Sequence, residues 1–303
     1  MFTSLKKSLV SKLMVIWSNL HRIRIQFGVT PFAEIDSELD GLVFLKARVR
    51  TSLAAKKEVI ALPRDNMIFS YVKNFGQWGT TEAKFLTELV IAQKRVNVSQ
   101  LLMIDLGAHA GLVSKIFLDK LPGEDIQVIL VDPLPNNVKA QMHNLQMYST
   151  KVVHCPMAIS TSSGMAEFEI NPENIGASRL KNSSANSSKI ERIQVQTISI
   201  SDFEVKYLRN NSRYLILKSD LEGIDARILN EFSEAVWHRL IGGVFEIDST
   251  SELDTDEIES LTKKLSPYRM SFSPNMEKEL SEENFRSIWR SDQRKVSNLY
   301  FAL

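Results

Sequence analysis

One cysteine, Cys155, stands in 303 residues, which excludes an internal disulfide and any cysteine-rich metal centre. A reducing, cytoplasmic setting is the expectation that follows. Long apolar runs are missing too. Leu13–Trp17, matched in length by Leu299–Leu303, has five residues, where a membrane-spanning helix needs roughly 20. No small-residue cleavage site follows it, so it does not read as a secretory leader. Net charge is only +1, which removes the global basic excess expected of a nucleic-acid binder. Acids are absent before Glu34, while Lys6, Lys7, Lys12, Arg22 and Arg24 precede it, so the remainder of the chain is acidic. Hydrophobic content of 44% and charged content of 24% are those of an ordinary globular protein.

Within the basic segment Leu5, Leu9, Leu13, Ile16 and Leu20 recur at helical spacing, which predicts an amphipathic helix over residues 4–21. Such a helix packs on its own domain or on a dimer partner, or lies on an anionic membrane surface. Residues 1–64 read as a helical extension and residues 65–303 as one domain. Met67–Val72 reads as a short strand, and Thr80-Thr81-Glu82 caps a helix running to about Lys94.

From Leu101 the chain alternates strand and helix. Strand Leu101–Leu106, helix Gly111–Lys120, strand Gln127–Val131, a helix opened by Pro135 and strand Lys151–Cys155 form a βαβαβ run. This order implies a parallel sheet with a ligand at the strand C-termini. Met165–Ile170 and Ile193–Ile198 alternate as a hairpin does, with the polar loop Lys181–Lys189 between them. The α/β rhythm returns with Tyr214–Lys218, Ile224–Phe232 and Leu240–Ile247. A helix near Asp256–Leu265 and strands at Tyr268–Phe272 and Val296–Phe301 complete the chain. Walls of the ligand pocket are expected from residues 66–82, the 181–189 loop and the tail.

Asp105-Leu106-Gly107-Ala108-His109-Ala110-Gly111 follows the first core strand. Two glycines four apart turn the backbone into a helix and let N–H groups approach a ligand. Gly107 and Gly111 with His109 between them do not make the G-x-G-x-x-G dinucleotide fingerprint. A carboxylate at Asp105 would repel the pyrophosphate that dinucleotide folds place there, and suits the amino group of a cationic cofactor without phosphate. S-adenosylmethionine fits that description. Asp132 closes the second strand, where it can accept both ribose hydroxyls; capping of the helix at Pro135 is its other reading. Ala158, past the third strand, sits where adenine would lie.

The second constellation is Lys218-Ser219-Asp220-Leu221-Glu222-Gly223. In extended chain the period of two puts Lys218, Asp220 and Glu222 on one side, and three charges leaving a hydrophobic strand are costly unless paired. A strand-end turn with an N-cap is the bland alternative. Glu246 and Asp248 end the next strand and could join Asp220 around a divalent cation, but nothing specifies ligand geometry, so no metal site is assigned. His143, His154 and His238 read as structural.

Together these pieces resemble the FkbM-type family of S-adenosylmethionine-dependent methyltransferases, from about Asp65 to Leu303 with a core between Leu101 and Ile247. The motif segments are Ile104–Gly111, Val131-Asp132-Pro133 with Pro135-Asn136, and Leu217–Gly223, the last close to the family's distinctive K-x-D-x-E-G. His109 stands where that family often has Asn, and Asp132 where it often has Glu. The resemblance implies a Rossmann-like class I methyltransferase fold: a seven-stranded, mostly parallel sheet with an antiparallel C-terminal strand. It further implies O-methylation of a hydroxyl on a sugar, glycan or secondary metabolite. Cofactor contacts would come from Asp105, Gly107, Ala108, His109, Gly111, Asp132 and Ala158. Asp220 or Glu222 would accept the hydroxyl proton, with Lys218 holding the site's charge or the substrate oxygen. The rival readings are an NAD(P)-binding oxidoreductase on the same fold, a non-catalytic partner protein that kept it, and an RNA methyltransferase, which the acidic body outside the N-terminal helix disfavours.

Overall fold

The computed structural model describes residues 32–48, 52–54, 58–94, 100–172, 174–180, 190–248, 253–289 and 296–303. The basic helix expected over 4–21 and the Lys181–Lys189 loop lie outside the described residues.

The chain enters through β1 (Ala33–Leu39), β2 (Leu42–Ala47) and β3 (Val59–Pro63), an antiparallel sheet. Where a helical extension is expected, residues 33–63 therefore hold strands. The local reason is the turn Asp40-Gly41, whose φ values of 50° and 78° match the twist of a two-residue hairpin. A second correction concerns Met67–Val72. This stretch is helical, in α1 (Ile68–Phe75), because Asp65 accepts hydrogen bonds from the Met67 and Phe69 amides and caps it.

Next come α2 (Thr80–Lys94), β4 (Gln100–Leu106), α3 (Leu112–Lys120), β5 (Asp125–Val131), α4 (Pro135–Asn144) and β6 (Val152–Cys155). A smaller sheet follows, built from β7 (Ala158–Ser160), β8 (Gly164–Ile170), β9 (Arg179–Leu180) and β10 (Glu191–Ser199) in the order β7-β10-β8-β9. A short helical segment over 200–208 leads to β11 (Tyr214–Ser219), α5 (Asp225–Glu231), β12 (Leu240–Asp248), α6 (Thr255–Leu265), β13 (Arg269–Ser271), α7 (Glu282–Trp289) and β14 (Val296–Ala302).

Seven strands form the large sheet in the order β13-β14-β12-β11-β4-β5-β6. Strand β14 runs antiparallel to both neighbours, and the remaining pairs are parallel. Burial on both faces explains the continuous apolar runs of β4, β5 and β11. Along β4 the side chains alternate between two cores: Leu102, Ile104 and Leu106 pack on one face, Leu101 and Met103 on the other. From β4 the chain first builds outward through β5 and β6, then returns to lay β11 on the other side. The order reverses between β4 and β11, and in such sheets the crevice beyond the strand C-termini at that reversal is where a ligand binds.

Side chains of α4 tie the N-terminal sheet to this crevice: the His143 ring nitrogen lies 3.1 Å from the Val59 carbonyl, and Asn144 makes the buried link. Asn144, buried at the end of α4, accepts from the Ala61 amide at 2.8 Å and donates to the carbonyls of Ala61 and Ala110 at 2.9 Å. It therefore satisfies the open edge of β3 and a carbonyl of the glycine turn together. Asn144→Ala leaves three buried backbone groups unpaired and is expected to lower stability by roughly 3 kcal/mol, read from the midpoint of urea unfolding. An unchanged midpoint would dismiss the tie.

Candidate active site

The glycine turn is shaped by the backbone around it. The Gly107 and Ala108 amides both donate to the Val131 carbonyl at 3.0 Å, and Gly111 closes the turn onto Ala108. Gly107, His109 and Gly111 take φ values of 69°, 47° and 73°. At Gly107 glycine is required twice over: a Cβ there would lie 1.9 Å from the Asp220 carbonyl oxygen. The Asp220 amide in turn donates to the Leu106 carbonyl at 3.1 Å. Glycine turn and Lys218–Gly223 segment thus touch through their backbones.

Beneath them lies a buried ion pair. Asp105 and Lys218 are register partners on adjacent parallel strands. Lys218 Nζ sits 3.3 Å from Asp105 Oδ1, and 2.7 and 3.3 Å from the carbonyls of Gly107 and Leu106. Ser114 donates to the other Asp105 oxygen at 2.6 Å. Burial opposes the ammonium charge, but Asp105 first, then Asp220 and Asp225, hold the Lys218 pKa above its usual value. Here the structure corrects the expected role of Asp105. Its carboxylate is fully buried and absent from the lining of the cleft, because Lys218 and Ser114 take it up inside the sheet. Lys218 likewise fastens the glycine turn more than it faces an acceptor.

The cleft above has a volume of about 870 Å³. Gly107, Ala108, His109, Asp132 and Ala158 line one side of it; Gly111 is the N-cap of α3 beside it. Asp132 accepts from the His109 and Leu134 amides and the Asn137 side chain, each at 2.9 Å. It orders the start of α4, and with Oδ2 accepting only one of these bonds it keeps acceptor capacity toward the cleft. Burial pushes its carboxyl up to about 6. Burial, helped by Lys218, pushes His109 down to about 4, so its ring is neutral at pH 7. Its Nε2 and the Oδ1 of Asn137 are buried without a hydrogen-bond partner among the described residues. Both residues line the cleft.

Opposite stand the acids. Asp220 is half exposed, 3.7 Å from Lys218. Glu222 is a non-glycine residue at φ 57°, followed by Gly223 at φ 111°. Asp225, which sequence reasoning passed over, holds this loop: its carboxylate accepts from the Ser219 hydroxyl and the Leu221 amide. Burial, then the charge of Asp220, raises Glu222 to about 7. From β12, Glu246 joins them, and one carboxylate oxygen each from Asp220, Glu222 and Glu246 lie within 4.8 Å of one another. Further wall comes from Met67, Ile68, Tyr71 and Trp78 with Asn298 from β14, in keeping with walls drawn from residues 66–82 and the tail, and also from Phe168 of β8 and Arg179 and Leu180 of β9, which that expectation did not include.

A strand-end acid loop pressed on a glycine turn, at the order reversal of a mostly parallel sheet, has a sequence counterpart. The methyltransferase FkbM domain model matches residues 105–286. The chain belongs to the FkbM methyltransferase domain family. Among solved structures it is similar to methyltransferase FkbM from Methylobacillus flagellatus KT, at 12% identity and a TM-score of 0.36, covering 71% of this chain and 47% of that one. It thus spans about half of that relative. It is also similar to the O-methyltransferase TomG from Streptomyces achromogenes, solved in complex with SAM (9% identity, 72% and 79% coverage, TM-score 0.35). A third likeness is precorrin-6y C5,15-methyltransferase from Geobacter metallireducens GS-15 (13%, 73% and 84%, TM-score 0.30). Likenesses this distant carry no argument about substrate, and the FkbM assignment rests on the sequence match. No curated protein sequence matches the chain.

Because Lys218 neutralises Asp105 inside the sheet, Lys218→Met should cost about 3–5 kcal/mol in urea unfolding. Adding Asp105→Asn should restore at least half of that loss. A double variant as unstable as the single one would contradict the pairing.

Proposed function

We propose that this FkbM-family chain transfers a methyl group from S-adenosylmethionine to a hydroxyl of a sugar, a glycan or a secondary metabolite. One observation carries the reading: Glu222, a carboxylate raised to about 7, hangs over the cleft that the glycine turn floors. The donor, when bound, supplies an electrophilic methyl group on a positively charged sulfur. A cleft whose lining includes Asp132, Asp220, Glu222 and Glu246 suits that charge and repels the pyrophosphate of a dinucleotide. Asp132, with the unpartnered atoms of His109 and Asn137 beside it, suits a hydroxyl-bearing ribose, and Met157, Ala158 and Ile159 offer apolar cover for a base.

An alcohol attacks slowly until its proton has somewhere to go. Glu222 is placed to take it: partly buried, beside Asp220, and with a proton affinity matched to neutral pH. Asp220 reinforces that affinity through its charge. The Tyr71 and Trp78 rings, 5.5 Å apart and edge-to-face, line the same cleft as the acids. A ring with one apolar face and several hydroxyls suits a lining of aromatic rings and carboxylates, which supports a sugar among the candidate acceptors. A small-molecule or glycan acceptor, rather than a nucleic acid, accords with this acidic lining. Among the described residues no helix is long and apolar enough to cross a membrane, and a cytoplasmic setting is proposed from the lone cysteine.

Calorimetry should detect S-adenosylhomocysteine binding and no heat from NADH; the reverse result would favour the oxidoreductase. In transfer assays with labelled donor and a panel of hydroxylated acceptors, Glu222→Gln should lower kcat by about 100-fold or more while S-adenosylhomocysteine affinity stays within about threefold. Because the base must be unprotonated, kcat/KM should rise with pH through about 7 and level off above it. Full activity of Glu222→Gln would remove the residue from the mechanism.

A further inference from the structure

Glu246 belongs to none of the sequence motifs of the site, yet it shares the cleft with Glu222. It reaches there because β12 lies next to β11 in the sheet. The surroundings of the two carboxylates are unbalanced in charge. Around Glu222 stand Asp220 from the same loop, Asp225 from α5, Arg179 from β9 and Lys218 from β11. Around Glu246 stand Asp220, Glu222, Asp225 and Asp248. On β14, Asn298 is the register partner of Glu246 and gives its amide to Glu82 at 2.8 Å. Lys218 is engaged by Asp105 and two carbonyls. Carboxylates this close, partly desolvated and short of cations, cannot all stay ionised.

We propose that Glu246 is the proton-sharing partner of Glu222, and that the pair gives up a proton when a sulfonium enters the cleft and takes one back when methyl transfer removes that charge. The proposal rests on the methyl-transfer reading above and adds a direction to it. A positive charge beside the pair favours its ionised form, so the base is freed as the donor binds. During transfer the hydroxyl oxygen gains the methyl group, its proton passes to Glu222, and the electrons of the S–CH3 bond stay on sulfur. With the sulfur now neutral, the pair's proton affinity rises again, which holds the proton that has just arrived. Glu246 acts through Glu222 and is a positioning residue. Burial and the neighbouring acids raise Glu246 to about 8 and Glu222 to about 7, in keeping with one proton held between them at neutral pH.

The test is calorimetric titration of the full chain at pH 7, in two buffers of different ionisation enthalpy, with S-adenosylmethionine and separately with S-adenosylhomocysteine. The donor should release roughly half a proton per site more than the product. In Glu246→Gln that difference should fall by at least half, which separates it from proton changes of the ligand's own amino group. Equal proton release by the two ligands in the wild-type chain overturns the proposal without any variant, as does a difference that Glu246→Gln leaves intact. Activity lost in EDTA and restored by Mg2+ would place a cation on these carboxylates and also overturn it. Failure of both ligands to bind would instead bring down the methyl-transfer reading itself.

Discussion

The structure depends on the pairing of Asp105 with Lys218. These charges meet because β4 and β11 lie side by side in parallel register at the reversal of strand order. An isolated charge in that position would be costly to bury, and a pair is tolerated only when its remaining donors and acceptors are satisfied. Ser114 and the carbonyls of Leu106 and Gly107 do this. The ammonium thereby fastens the glycine turn from below, and the backbone of Asp220 closes on Gly107 from above. One ion pair sets the floor of the cleft and the distance between its two sides.

Above that floor the balance of charge changes sign. The lysine is used up internally, and Asp220, Glu222 and Glu246 face a shared space. A cleft built this way discriminates by charge before it discriminates by shape. It favours a cation over a phosphate, and it holds the Glu222 carboxyl near neutrality, as the proposed transfer to a hydroxyl requires. The strained φ of Glu222 and the Asp225 tie behind it indicate that the loop is held in place rather than left to find its position. Backbone strain of this kind persists where the surroundings over-determine it.

The central strands were legible because burial on both faces leaves uninterrupted apolar runs, and the two motif loops because glycine and clustered charge have few other uses at strand ends. Other features depended on partners distant in the chain. The role of Asp105 is set by a lysine 113 positions away, and only strand adjacency reveals the pair. Met67–Val72 fits a strand or a helix by periodicity, as short apolar runs do, until Asp65 is seen to cap it. The β1–β3 sheet had one local signal, Asp40-Gly41, but its stability comes from packing against α3 and α4 in a shared core and from Asn144. Asp225 carried no distinguishing pattern, and Glu246 stood out only as a strand-end acid beside Asp248; each acquires its meaning from the loop that folds beside it.

The central claim is that the cleft between the glycine turn and the Asp220–Glu222 loop holds the methyl donor with its sulfur toward the acids. A crystal structure of the S-adenosylhomocysteine complex tests it most directly. The account predicts the ribose hydroxyls on Asp132, the adenine beside Ala158 and the sulfur facing Glu222 and Glu246. A ligand bound with its sulfur turned away from those carboxylates, or seated outside this cleft, would contradict it.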